Sequence, residues 1–179
     1  MRTISSTSTF LIATTLGLSI AQPSFAQAPN IRTVGPIIHL ADNLGEEAML
    51  GWCIDTEGRE VSDQLHAHSC KPAGDDVLFT YTPESGLIES ATYKDLCMAY
   101  NAPDDTENPF GLIACDEAND AQHFTYDEAS MEIRLSMDAT RCVTVAATID
   151  DAGPYQSRDL ILAACDALVP GFKQWVIQE

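Results

Sequence analysis

Counting back from Cys70, Cys115 and Cys165, bulky and small apolar side chains fall on alternate positions. Leu65, Phe110 and Leu160 stand five residues before these cysteines; Ala67, Leu112 and Leu162 stand three before; Ser69, Ala114 and Ala164 stand one before. Strand side chains alternate between faces, so each set lines one face of a half-buried strand. A polar stretch follows each cysteine, and then a second apolar segment: Val77-Leu78-Phe79-Thr80-Tyr81, Gln122-His123-Phe124-Thr125-Tyr126 and Lys173-Gln174-Trp175-Val176-Ile177. Thr82 to Gly86 and Asp127 to Ser130 are rich in turn formers. Beyond them Ile88 and Ile133 mark a third strand, each nine residues past the aromatic, and Cys97 and Cys142 mark a fourth, nine residues further. Short strands at this spacing, with no helical period of useful length, predict an all-β sandwich or barrel.

The same registration makes the chain a threefold repeat. The first cysteines, Cys53, Cys97 and Cys142, are separated by 44 and 45 residues, and the second, Cys70, Cys115 and Cys165, by 45 and 50. Phe79, Phe124 and Trp175 follow the second cysteines by 9, 9 and 10 residues. A fixed period of this size means one supersecondary unit used three times. Six cysteines allow 15 pairings, and the repeat selects Cys53–Cys70, Cys97–Cys115 and Cys142–Cys165. Each closes a loop of roughly 20 residues and contributes on the order of 3 kcal/mol in the chain-entropy view. The third unit ends after its aromatic strand, and Ile37-Ile38-His39-Leu40 can supply the missing one, giving twelve short strands. Pairing the first strand with the last would leave no open edge.

Composition narrows the setting. Arg2, the apolar run Phe10 to Ala21, Pro23 and the small residues around Ala26 read as a signal peptide over residues 1–26. The run is too short to span a bilayer, so no membrane insertion is expected. Residues 27–35 read as a loose tail and 36–179 as one domain, with repeats near 45–90, 91–135 and 136–179. An even cysteine count in an exported chain implies disulfides, and no C-x-x-C pair occurs to suggest a zinc ribbon or redox site. The expected location is secreted or periplasmic. With 9 Lys plus Arg against 27 Asp plus Glu, the chain repels polyanions, which excludes a nucleic-acid partner.

Cysteine pairs, each followed by a Q-x-W-like aromatic and repeated three times, resemble the ricin B-type β-trefoil lectin family over roughly residues 36–179. The Q-x-W positions read Val77-x-Phe79, Gln122-x-Phe124 and Lys173-x-Trp175. The resemblance implies a β-trefoil whose three aromatics are core residues around a pseudo-threefold axis. It also implies carbohydrate binding, with an Asp two residues after the first cysteine, a polar or aromatic pair two and four residues before the second, and an amide ahead of the aromatic. The first repeat supplies Asp55, His68, His66 and Asp76 at or near these positions. The second has Ala99, Ile113, Gly111 and Gln122, and the third Thr144, Ala163, Ile161 and Lys173, so both read as degenerate sites.

Other chemistry is weaker. His66 and His68 share a strand face at a spacing that suits zinc or copper, but Cys70 is committed to Cys53, and no metal is expected. Asp104 to Asn108 and Asp150-Asp151 lack the glycine and distal glutamate of an EF-hand calcium loop. No G-x-S-x-G, H-E-x-x-H or P-loop occurs, so the chain is read as a non-enzyme without cofactor. Its expected role is a secreted lectin-like protein that binds glycans or glycoconjugates through Asp55, His66, His68 and Asp76. The alternative is a trefoil that has lost sugar binding and contacts a protein, as an inhibitor or interaction module.

Overall fold

The computed structural model describes residues 27–58 and 61–179; the expected signal peptide lies outside the described residues. The strands run β1 (Ile37–Leu40), β2 (Trp52–Thr56), β3 (Leu65–Ser69), β4 (Phe79–Thr82) and β5 (Leu87–Ser90). They continue as β6 (Leu96–Tyr100), β7 (Phe110–Ala114), β8 (Phe124–Asp127) and β9 (Glu132–Leu135). The last four are β10 (Asp138–Val145), β11 (Asp150–Ala152), β12 (Tyr155–Ala164) and β13 (Trp175–Gln178). All twelve expected strands are present. β11 is an addition, paired with a β12 that reaches well beyond its counterparts β3 and β7. No helix of the described residues is long and apolar enough to cross a membrane.

Six antiparallel hairpins make the fold, and they obey the threefold repeat. β2/β3, β6/β7 and β10/β12 each carry one cysteine pair; β4/β5, β8/β9 and β13/β1 each carry one of the three aromatics. The two kinds join opposite each first cysteine, His39 facing Cys53, Glu89 facing Cys97 and Arg134 facing Cys142, and in the third repeat Asp138 also pairs with Leu135. Cys70, Cys115 and Cys165 follow directly on β3, β7 and β12. Each disulfide, Cys53–Cys70, Cys97–Cys115 and Cys142–Cys165, therefore staples the two ends of one hairpin. Three formed bridges fit an oxidising environment.

A ring of backbone bonds joins the aromatic hairpins. The N–H of Phe79 donates to Pro36 O (3.0 Å), that of Phe124 to Gly86 O (2.8 Å) and that of Trp175 to Met131 O (2.7 Å). Phe124 and Trp175 thus hang on the turn of the preceding hairpin, and Phe79 on the residue just ahead of β1. Gly86 has φ +73°, and a Cβ there would lie 2.7 Å from the Phe124 carbonyl oxygen, so the close approach requires glycine. Tyr81 and Tyr126, two residues past their aromatics, extend the pattern by donating to Phe124 O (3.3 Å) and Trp175 O (2.9 Å). Phe79, Phe124 and Trp175 are fully buried in one core with Ile38, Ile88 and Ile133, as the family resemblance implied. β1 pairs with β13 along its whole length, from Ile37 opposite Gln178 to Leu40 opposite Trp175.

The strands do not close into one unbroken ladder. β4-β5-β6-β7 forms its own sheet, and the others run β13-β1-β2-β3-β12-β10-β9-β8. The link that makes the second order possible is β12, whose N-terminal half pairs with β3 and ties the third repeat to the first. Residues 27–35, expected as a loose tail, lie along the loop that follows β1: Asn43 N donates to Gln27 O (2.7 Å), Asn30 N to Met49 O (2.6 Å), and Thr33 is buried.

Candidate functional site

β2 and β3 place the site. Cys53 stands opposite His68 and Asp55 opposite His66, and directly opposed residues of an antiparallel pair share a face. Pairing with β12 then sets Ser157 opposite His68 and Asp159 opposite His66. One face of a three-stranded patch therefore carries Asp55, both histidines and Ser157. The polar stretch after Cys70 folds back over it, bringing Lys71 and Asp76 above the same face.

The centre of the cluster is an ammonium between two carboxylates. Lys71 Nζ lies 2.8 Å from Asp55 Oδ2 and 2.5 Å from Asp76 Oδ2. Asp55 is wholly buried, and its Oδ1 has no hydrogen-bond partner among the described residues. His68 Nδ1 and His66 Nε2 stand 3.7 and 3.9 Å from Asp55 Oδ2, outside hydrogen-bond range. His68 Nδ1 instead lies 2.9 Å from Ser69 O; only an N–H can pair with a carbonyl, so this nitrogen donates and Nε2 keeps its lone pair.

Burial dominates the electrostatics. It pushes the Asp55 carboxyl up to about 7, against the hydrogen bond and charge of Lys71. It drives the His66 imidazole down to about 4, helped by the charges of His68 and Lys71, and lowers His68 as well. Burial also opposes the charge on Lys71, but its hydrogen bonds to Asp55 and Asp76 raise its pKa overall. At neutral pH the site thus holds one firm cation and two neutral imidazoles with ring faces and lone pairs to offer.

Above this cluster opens a cavity of about 750 Å³, lined by His66, His68, Lys71 and Asp76 and, from the third repeat, by Tyr155 and Ser157. Glu57, Asp75 and Asp151 line it as well. Of the four residues expected from sequence, His66, His68 and Asp76 line the cavity. Asp55 does not: it is fully buried, with Lys71 Nζ 2.8 Å from its Oδ2. Lys71, Tyr155 and Ser157 were missed. The extra five residues between the second and third of the second cysteines were a sign of the β11/β12 insertion that brings the latter two.

The corresponding places in the other repeats serve the fold. Gln122 is buried at the end of a short 3-10 turn (Asp120–Gln122), where Nε2 donates to Ala114 O (2.9 Å) and Oε1 accepts from Asp116 N (2.7 Å). Lys173 takes the same role in the third repeat, donating to Cys165 O (2.6 Å) and pairing with Glu132 Oε1 (2.6 Å). Thr144 donates to Phe172 O (2.7 Å), and Ala99 is buried. Polar cavities of about 620 Å³ along residues 101–107 and about 420 Å³ beside Glu117, Asp120 and His123 open in the second repeat, but neither is lined by Ala99, Gly111, Ile113 or Gln122.

Solved structures share this architecture at low sequence identity. The earthworm R-type lectin C-half, in complex with GalNAc, superposes with a TM-score of 0.57 at 15% identity, covering 80% of this chain and 96% of that one. The Vibrio vulnificus haemolysin/cytolysin β-trefoil lectin, with N-acetyl-D-lactosamine bound, gives 0.55 at 13% identity, with coverages of 80% and 92%. GalNAc-T7 with UDP, GalNAc and Mn2+ gives 0.56 at 16% identity; 85% of this chain covers only 23% of that one. No curated protein matches the chain by sequence at a significant level. The sequence profile of the ricin-type β-trefoil lectin domain matches residues 46–176, from the loop ahead of the first cysteine to the last aromatic strand. That match spans most of the chain, and the chain belongs to the ricin-type β-trefoil lectin domain family.

Proposed function

We propose that this chain is an exported, non-enzymatic carbohydrate-binding protein whose sugar sits in the first-repeat cavity. The observation that carries the reading is the contrast among repeats. The first opens a cavity lined by a cation, a carboxylate and two neutral imidazoles, whereas the second and third spend the equivalent polar groups on backbone carbonyls. Sugar recognition needs donors and acceptors for adjacent hydroxyls together with a ring face for the apolar side of the pyranose. Lys71 supplies the donor, Asp76 and the imidazole lone pairs supply acceptors, and His68 offers a ring. Asp55 acts as a positioning residue that holds Lys71 in place. Solved lectins of this fold carry GalNAc or N-acetyl-D-lactosamine, which supports a glycan or glycoconjugate as ligand. One such shallow site binds weakly, so useful affinity needs clustered ligand. Export, with removal of residues 1–26, completes the proposal.

A glycan array probed with the chain from residue 27, beside Asp76→Ala and Lys71→Ala, tests it. Signal on a defined set of sugars that both substitutions abolish is the expected result. The Asp55–Lys71 pair favours a second reading, because the carboxylate expected to meet a sugar is buried and paired with an ammonium: the site then serves a protein partner as an interaction or inhibitor module. A silent array together with a partner recovered through the same residues would establish that reading instead.

A further inference from the structure

We propose that the first-repeat site is a joint one, completed by Tyr155 of the third repeat, whose ring is the platform for the apolar face of a neutral or amino-bearing pyranose. The inference rests on the carbohydrate reading above and adds both a contact residue and a ligand class. Tyr155 begins the extended part of β12, where it stands opposite Ala152 across the two-residue turn Gly153-Pro154. Alternation along the strand gives Tyr155 and Ser157 to the cavity and Gln156 and Arg158 to the opposite face. The opposite face is anchored. Gln156 N donates to Ser69 Oγ (3.1 Å), and Gln156 Oε1 accepts from Glu47 N (3.0 Å). Buried Arg158 donates to Ala146 O (2.8 Å), Ala147 O (2.8 Å) and Leu44 O (2.7 Å), with its guanidinium 4.7 Å from the Trp52 ring centroid. The platform is therefore fixed by bonds to the first repeat before any ligand arrives.

Tyr155 meets His68 edge-on, with ring centroids 5.5 Å apart and planes at 65°. Tyr155 itself is half-buried on the cavity wall. The ligand class follows from charge. Glu57, Asp75, Asp76 and Asp151 line the cavity with Lys71 as the one cation among the lining residues, and that cation is already held by Asp55 and Asp76. An acidic sugar meets uncompensated carboxylates, whereas a neutral or ammonium-bearing sugar does not.

Isothermal titration of galactose, galactosamine and galacturonic acid, and of their glucose-series counterparts, into wild type, Tyr155→Phe and Tyr155→Ala decides the matter. The expected result is binding within about twofold of wild type for the phenylalanine and at least tenfold weaker for the alanine, with unchanged disulfides and thermal midpoint. Acidic sugars should bind at least tenfold more weakly than neutral ones at low salt, with the gap narrowing as salt screens it. Saturation transferred from the Tyr155 ring protons to one face of the sugar separates a platform from a merely structural ring. Wild-type affinity in Tyr155→Ala, or equal binding of the acidic sugars, overturns the inference and leaves the carbohydrate reading standing. No binding of any of the six sugars to wild type overturns both.

Discussion

Burial holds a proton on Asp55 that the unfolded chain gives up. With a folded pKa of about 7 against an ordinary 3.8, the group binds protons more tightly when folded. Its contribution to stability is full below about pH 4 and is lost as pH rises through 7, at about 1.4 kcal/mol per pH unit. His66, down to about 4 from 6.5, works the other way: stability is lost as pH falls through that interval, and His68 and His39, both lowered by burial, add to it. The opposing slopes partly cancel in the native protein. Asp55→Asn should therefore steepen the fall in stability between pH 6.5 and 4 by about 1.4 kcal/mol per unit in urea titrations; parallel curves for the two proteins would refute the assignment. Asp55, His66 and His68 could be singled out because the family resemblance marks positions relative to each cysteine, and strand pairing then sets them on one face. Lys71 was not, since a four-carbon stem can carry its ammonium in many directions and no period records which carboxylates it meets.

At the scale of elements, the hairpins with their staples were readable from spacing, and the β11/β12 insertion was not. Asp150-Asp151 read as an acidic loop. A strand forms there because Asp150, Asp151 and Ala152 find partners in Ser157, Gln156 and Tyr155, so pairing overrides local preference. Gly153 sits at φ +67°, and Gly153→Val should cost about 1–2 kcal/mol. Faster hydrogen exchange confined to β11 and the start of β12 would show it. Replacing Cys142 and Cys165 together by serine should cost about 3 kcal/mol by denaturant titration. The logarithmic dependence on loop length makes this nearly the same as for the other bridges, despite separations of 23 against 17 and 18 residues. A loss twice as large would mean that the bridge also anchors the insertion.

Across the whole molecule, stability is shared through the hub. Trp175 is fully buried and donates Nε1–H to Val143 O (2.9 Å) while its backbone closes the ring of hairpins at Met131. Trp175→Ala should cost about 3–5 kcal/mol as a core cavity, in a single transition seen alike by near-ultraviolet circular dichroism and tyrosine emission. Separate transitions would mean that the repeats unfold independently. The charge of −18 adds self-repulsion, so the thermal midpoint should rise between 10 and 200 mM salt; a midpoint unmoved by salt would count against this. The hub was legible because the family resemblance assigns the three aromatics in register to one core, whereas the site needed contacts between repeats that no single repeat records. The pairing of β1 with β13 carries its own consequence. Ile37 and Gln178 lie side by side, so a short linker could join them and the chain be reopened in the turn between Asp127 and Ser130. Such a circular permutant keeps every staple and all three hub aromatics, and should fold to the same architecture with its first-repeat cavity intact.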